Sequence, residues 1–412
     1  MTTSSTGGST QTELRSPHDR PSRPTHHIAP TVTRLTVAAL VVAAVCLTGA
    51  RAVVAMQQRP AGGALPPGTG TRSPARAAPR LPYVAVRGDR LVNASDKTIR
   101  LLGVDRSGAE YMCLSGSQVF DGPVSASAVK AMAAWKIDAV RVPLNEDCWL
   151  GINGVARSVS GAKYQAAIKE YVARLQSAGL LVILDLHWAA PGGHLANQQW
   201  PMADADHAPA FWKSVARTFK ANHGVIFDLF NEPYITSWPC WRNGCSVRFV
   251  SVTYGLVTYR TAGMQSLVNA VRSVGASQPL MLGGLAWSSD ETHWLKFEPT
   301  DPDHQLVVSF HTYNFSGCNT AACWNATIAP LAKKVPVVTG EMGESYCTDG
   351  YIDTYMPWAD RHGISYLGWT WNSTGPPSNW SCSNGPALIT SYAGTPTAYG
   401  IGLKNHLAAL AR

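Results

Sequence analysis

From Pro82 to the C-terminus, short apolar runs alternate with longer amphipathic stretches. The runs at residues 99–104, 139–142, 181–186, 225–229, 280–282, 306–310, 335–338 and 365–367 are rich in Val, Ile, Leu and Phe. They are too short for helices and read as buried parallel strands. Helical periods lie between them. Tyr164, Ile168, Tyr171, Val172 and Leu175 fall on one face, and Gly179 follows as a stop. Met264, Leu267, Val268 and Val271 repeat the pattern up to Gly275, and residues 126–135 and 208–219 read likewise. Successive strand starts lie 40, 42, 44, 55, 26, 29 and 30 residues apart, the scale of strand-plus-helix units. Eight such units over residues 82–412 predict an α/β protein, a (β/α)8 TIM barrel. An open doubly wound sheet would want a glycine-rich phosphate loop after its first strand. Gly103-Val-Asp-Arg-Ser-Gly108 does not fit that fingerprint. Residues 83–97 predict a small hairpin closing the barrel floor.

The chain upstream obeys other rules. Residues 1–34 are polar, without hydrophobic period, and read as a disordered basic N-terminus. Residues 35–50 are apolar but for Thr36, Thr48 and Gly49. After Arg51 a second short apolar stretch runs to Met56. Sixteen residues suit a signal-peptide core, and residues 35–56 together suit a membrane anchor. Either one exports the barrel, so an extracellular domain is expected, secreted or anchored to the outer face of the cell membrane. Residues 57–81, dominated by Pro, Gly, Ala and Arg, read as a linker.

Net charge sharpens this division. The chain carries +8, but residues 1–80 hold nine Arg, no Lys and two acids, Glu13 and Asp19. They account for +7 and leave +1 for the remainder. The barrel is near neutral, and no nucleic-acid partner is expected. Of nine cysteines, Cys46 lies in the apolar run. The other eight form an even set, which in an exported chain favours disulfides. Cys240 with Cys245 and Cys318 with Cys323 can close small loops. Cys113 with Cys148 and Cys347 with Cys382 would pair by elimination, although sequence leaves the connectivity open. Zinc is disfavoured because no Cys-x-x-Cys pair exists.

Candidate chemistry sits at the strand ends, which converge on one face of a barrel. Strand two contains Arg141. Strand three ends in His187-Trp188, strand four in Asn231-Glu232-Pro233, and strand six in His311-Thr-Tyr313. Strand seven leads to Gly340-Glu341-Met-Gly343, and strand eight to Gly368-Trp-Thr-Trp371. Together these place two carboxylates, two histidines, an arginine, an asparagine, a tyrosine and one or two tryptophans in one cleft.

On these residues the chain from about Pro82 onward resembles glycoside hydrolase family 5, the cellulase family of clan A. The resemblance rests on Arg141 in Val-Arg-Val-Pro, His187 in Leu-Asp-Leu-His, Asn231-Glu232-Pro233, His311-x-Tyr313, Gly340-Glu341-Met-Gly343 and Trp369. The family commonly has Asn where this chain has Asp105. The resemblance implies a retaining glycosidase with Glu232 as acid/base and Glu341 as nucleophile. Arg141 would keep Glu341 ionised and oriented, with Tyr313 donating to the same carboxylate. Asn231 would hold a sugar 2-hydroxyl, and His187 and His311 would hold hydroxyls or orient the acid. Trp369, favoured over Trp371, would stack a sugar ring. Glu344 reads as a rim residue. No third histidine stands at ligand spacing to His187 and His311, so no metal or other cofactor is expected.

The modal substrate of the family is a β-1,4-glucan. β-Mannanase, β-1,3-glucanase and exo-glycosidase activities are alternatives on the same scaffold. A non-enzymatic glycan-binding barrel and a metal-assisted hydrolase are the rivals from other classes. Trp238 and Trp241 around the Cys240–Cys245 loop, and Trp380, are expected to rim the cleft. A monomer is expected.

Overall fold

The computed structural model describes residues 82–346, 348–373 and 386–411. The segments assigned above to residues 1–34, 35–56 and 57–81 lie outside these residues, as do Trp380 and the Cys347–Cys382 pair. Eight parallel strands close into a barrel: β1 (Leu102–Asp105), β2 (Ala139–Asn145), β3 (Leu181–Trp188), β4 (Val225–Asp228), β5 (Leu280–Gly283), β6 (Leu306–Tyr313), β7 (Val337–Gly343) and β8 (Ser365–Gly368). Each neighbours the next, and β8 pairs with β1. The main outer helices are α1 (Ala126–Ala133), α2 (Ala162–Ser177), α3 (Ala208–Phe219), α4 (Met264–Arg272), α5 (Gly350–Arg361) and α6 (Ala398–Leu410). Among the described residues, no helix is long and apolar enough to cross a membrane.

Side-chain alternation along each strand builds the site. On β3, Val182, Leu184 and Leu186 join the large core under the helices. Leu181 and Ile183 pack inside the barrel with Ala139, Ile226, Met281, Val307, Val338 and Leu367. One step further up the same inward face come Asp185 and His187. β2 and β4 behave likewise, passing from Ala139 to Arg141 and from Ile226 to Asp228. The barrel interior is thus apolar below and charged above. Its floor is plugged by a three-stranded antiparallel sheet, Ala85–Arg87, Arg90–Val92 and Thr98–Ile99, which adds Val84, Val86 and Leu91 to the lower core.

Several strands differ from their expected bounds, for one reason. β2, β3, β6 and β7 run on past the apolar stretch into the polar residues of the mouth, because ladder pairing continues there. The β6–β7 register, for example, persists to Tyr313 opposite Gly343. Residues 98–99 belong to the floor sheet rather than to β1. The 55-residue gap between β4 and β5 hides an antiparallel hairpin, Ser246–Ser251 with Gly255–Arg260. Among the described residues three disulfides are present, Cys113–Cys148, Cys240–Cys245 and Cys318–Cys323.

Tryptophans tie helices to strand ends. Trp212 Nε1 on α3 donates to the Leu229 carbonyl at 2.9 Å, just before Asn231-Glu232. Trp241 Nε1 donates to Gly283 and Trp294 Nε1 to Leu282, at 2.7 and 3.0 Å. These indoles bury apolar area and also satisfy carbonyls at the strand ends. Trp241 is therefore core. Trp238 is also buried, 7% exposed, so neither forms the aromatic rim expected of them.

Candidate active site

A cleft of about 660 Å³ opens at the C-terminal mouth of the barrel. His187, Asn231, Glu232, Tyr313, Glu341 and Trp369 line it. Beneath it lies Arg141, fully buried. Its Nη1 donates to Glu341 Oε1 at 2.9 Å and to Asp105 Oδ1 at 3.1 Å. Its Nε donates to Asp228 Oδ2 at 3.0 Å and its Nη2 to Asn231 Oδ1 at 2.8 Å. Asp185 Oδ2 lies 3.1 Å from the same Nη2. One guanidinium thus faces four carboxylates. Burial disfavours its charge, but the surrounding acids more than offset that and raise its pKa. Burial also pushes Asp185 up to about 7 and Asp228 up to about 6, with Arg141 opposing both shifts. Asp105 is raised well above the usual carboxylate range, again by burial first.

The two glutamates are held differently. Glu341 accepts from Arg141 on Oε1 and from the Tyr313 hydroxyl on Oε2, at 2.6 Å. Glu232 accepts from the Gln199 amide on Oε2, at 3.1 Å, and its Oε1 lies 2.9 Å from His311 Nδ1. Burial raises the pKa of Glu232, and the Gln199 amide opposes the shift. Burial lowers His311 and His187 to about 4, which leaves both rings neutral at ordinary pH. His187 Nδ1 lies 2.6 Å from Asp185 Oδ2, and the ring stacks on Trp369 at 5.3 Å.

Local backbone explains the Gly-Glu-Met-Gly pattern. The β6–β7 register skips Gly340, so His311 stands opposite Glu341. A Cβ on Gly340 would sit 2.8 Å from His311 Nε2, and one on Gly343 only 2.3 Å from the Tyr313 ring. Both glycines are space that the site needs.

Every catalytic or binding residue singled out from sequence reaches this mouth, and the structure separates Trp369 in the cleft from Trp371. The latter is buried edge-on against Trp135 at 4.8 Å. Glu344 differs from its expected rim position. It is buried and braces the start of α5, accepting from Thr348 Oγ1 and Tyr351 N. Sequence reasoning missed Asp185, Asp228, Gln199 and Trp287. The two aspartates had a signal, a charge at every second place in an apolar strand. Gln199 and Trp287 had none, because both sit in irregular loops. Trp287 is 54% exposed, stacks on Tyr234 at 5.1 Å and lines the cleft. Ala286, Trp287 and Ser288 all have left-handed φ, near +55°, a strain on the order of 1–3 kcal/mol each. Trp287 N donating to Pro233 O and Ser288 Oγ donating to Asn231 O hold this segment against the turn that carries Glu232.

Glu232, His311 and Glu341 also have metal-ligand spacing, with one atom of each within 4.8 Å of the others. Their oxygens already accept from Gln199, Tyr313 and Arg141, and the guanidinium beside Glu341 repels a second cation. Two such carboxylates at the mouth of a (β/α)8 barrel, one held by cationic and phenolic donors and one buried beside a neutral amide and imidazole, define the class of two-carboxylate glycoside hydrolases.

Comparison with known proteins agrees. Residues 102–375 match the model of Cellulase (glycosyl hydrolase family 5), and the chain belongs to that family. It is 23% identical over 319 residues to a mannan endo-1,4-beta-mannosidase of Cellvibrio japonicus (strain Ueda107), covering 73% of this chain and 67% of that protein. It is 21% identical to endoglucanase MaCel5A of Microbulbifer sp. (strain ALW1), covering 70% of this chain but only 50% of that one. Among solved structures it resembles the beta-glucanase SdGluc5_26A of Saccharophagus degradans in complex with cellotetraose. The TM-score is 0.62 at 18% identity, over 81% of this chain and 95% of that one. At that identity the likeness concerns the fold.

Proposed function

We propose that this glycoside hydrolase is a retaining endo-β-1,4-glucanase, with Glu232 as acid/base and Glu341 as nucleophile. The observation that carries the reading is the unequal environment of the two carboxylates. Glu341 only accepts hydrogen bonds, from a guanidinium and a phenol, and that is the form a nucleophile needs. Glu232 sits where burial favours its protonated form, as an acid requires. Glu232 would protonate the leaving oxygen while Glu341 attacks the anomeric carbon, after which Glu232 would deprotonate the water that releases the sugar. A separation of their oxygens within 4.8 Å accords with the roughly 5–5.5 Å carboxyl spacing of retaining enzymes. Trp369 and Trp287 line the same cleft and offer flat faces for sugar rings.

A relative named as a mannan endo-1,4-beta-mannosidase favours β-mannan as the second reading. Glucose and mannose differ at the 2-hydroxyl, the group Asn231 faces in this scheme. Incubating the full chain with cello-, manno- and laminari-oligosaccharides tests both. Internal cuts of cello-oligosaccharides are expected, with the β-anomer as first product by proton NMR. An α-anomer would overturn retention, a preference for manno-oligosaccharides would replace the substrate, and turnover of no member would favour a glycan-binding barrel.

We also infer export of the catalytic domain, by secretion or by an anchor at residues 35–56. Three disulfides and the apolar run ahead of the linker support it.

A further inference from the structure

Outside the cleft one cluster of titratable groups takes no part in the chemistry above. Glu146 opens a one-turn helix, Glu146–Leu150, directly after β2. Asp204 lies in the connection from β3 to α3, and His207 immediately precedes α3. One ligand atom of each lies within 4.8 Å of the other two. Glu146 and Asp204 are 0% and 1% exposed, and the His207 side chain is 27% exposed with its Nδ1 turned inward, so solvent reaches the cluster's edge only at the imidazole.

Each carboxylate has one oxygen satisfied and one left over, and the imidazole has its buried nitrogen left over. Glu146 Oε1 accepts from Ala190 N at 3.3 Å, and Asp204 Oδ1 accepts from His207 N at 2.7 Å. Glu146 Oε2, Asp204 Oδ2 and His207 Nδ1 are buried and have no hydrogen-bond partner. No Arg or Lys pairs with either carboxylate among the described residues; the nearest base is His207, whose Nδ1 is 4.0 Å from Asp204 Oδ1. Two buried acids lie against each other, with the Asp206 carboxylate beside Asp204 and no Arg or Lys among them, and such a group needs either a proton or a cation to share. A shared proton would satisfy the two acids. It leaves the third atom, an imidazole nitrogen buried at the same spot, without a function.

We propose that Glu146, Asp204 and His207 bind one divalent cation of the Zn²⁺ or Mn²⁺ type. Two carboxylate oxygens and an imidazole nitrogen are the donor set such ions take, and water can fill the remaining positions from the open side. With ligands at about 2.1 Å, an ion draws them to roughly 3–4 Å apart. The present separations need to close by no more than about 2 Å. Bound there, the ion ties the end of β2 to the start of α3 and brackets the loop of residues 189–207. That loop carries Gln199, whose amide holds Glu232. The ion would therefore stabilise the setting of the acid without touching substrate.

Calorimetric titration of the chelator-treated full chain with ZnCl2 or MnCl2 tests this. One equivalent should bind with a Kd of about 10 μM or tighter, and Tm should rise by several degrees at saturation. Asp204→Asn and Glu146→Gln keep the shape of the site and should weaken binding by about 100-fold. His207→Gln, at the partly open edge, should weaken it by about 10-fold. His207→Gln also keeps the test decisive if either acid variant fails to fold. Binding should survive Glu341→Gln, which alters only the cleft. The proposal is overturned by a wild-type chain that binds neither ion below 1 mM. It is equally overturned by affinities unchanged in the three site variants, or by binding lost in Glu341→Gln but kept in Asp204→Asn. None of these readouts depends on which glycan the enzyme cuts.

Discussion

Two buried clusters at the barrel mouth share a composition, two acids and a histidine, and differ in their partners. In the cleft, Glu232, Glu341 and His311 stand above Arg141, and each carboxylate oxygen has a partner in Gln199, His311, Arg141 or Tyr313, so that only His311 Nε2 is buried without one. In the loop cluster, Glu146, Asp204 and His207 each keep a buried atom with no partner. Burial pushes Asp204 up to about 8 and Glu146 well above the usual range, with no guanidinium to hold them down. The difference shows what Arg141 does. A fixed guanidinium gives Glu341 its charge balance from within the chain and keeps a mobile cation out. Where no such group is supplied, the balance must come from solution.

The largest expected effect tests whether the cleft pair is the catalytic one. Glu341→Ala should lower kcat/KM on the order of 10⁴-fold or more while leaving the fold intact, as loss of a nucleophile does. Glu344→Gln should leave turnover nearly unchanged, because Glu344 braces α5 from outside the cleft. The reverse pattern, measured on the same oligosaccharide, would reassign the nucleophile.

Next comes the cation itself. Arg141→Met removes the guanidinium that Asp105, Asp185, Asp228 and Glu341 share. Breaking a buried ionic network by deleting one partner costs about 3–5 kcal/mol. Denaturant unfolding of the variant should register a loss of that size, together with loss of turnover. A variant as stable as wild type would mean that the four acids are neutral without Arg141. The contrast between the clusters would then collapse.

How much of this was legible in sequence depended on periodicity. The eight strands and four of the helices stood out because apolar positions recur at fixed spacing. The charges at the strand ends stood out because they interrupt apolar runs, and that put Arg141, Asn231, Glu232 and Glu341 on one mouth. Asp185 and Asp228 were visible in the same runs but need the inward–outward alternation to be assigned to Arg141. Trp238 and Trp241 misled. Their side chains turn inward to cap a carbonyl and fill core, and sequence does not record which way a loop tryptophan points. The hairpin of residues 246–260 was hidden by its polar alternate positions. Its Tyr254 and Tyr259 hydroxyls bond Leu195 and Met202 in the loop that carries Gln199, so a contact to the acid rests on tertiary packing that no local pattern encodes.

Gln199 gives the smallest effect and the finest test of the division between the two acids. Its amide Nε2 donates to Glu232 Oε2 at 3.1 Å and favours the ionised form, opposing the rise that burial imposes. Gln199→Ala removes that donor, so the pKa of Glu232 should rise further. The acid acts only while protonated, and its pKa sets the alkaline limb of the rate profile. The limb of kcat/KM against pH should therefore move to higher pH in the variant, with a modest loss of kcat at the optimum. An alkaline limb that stayed put or moved to lower pH would mean that the titrating acid is not the group Gln199 touches.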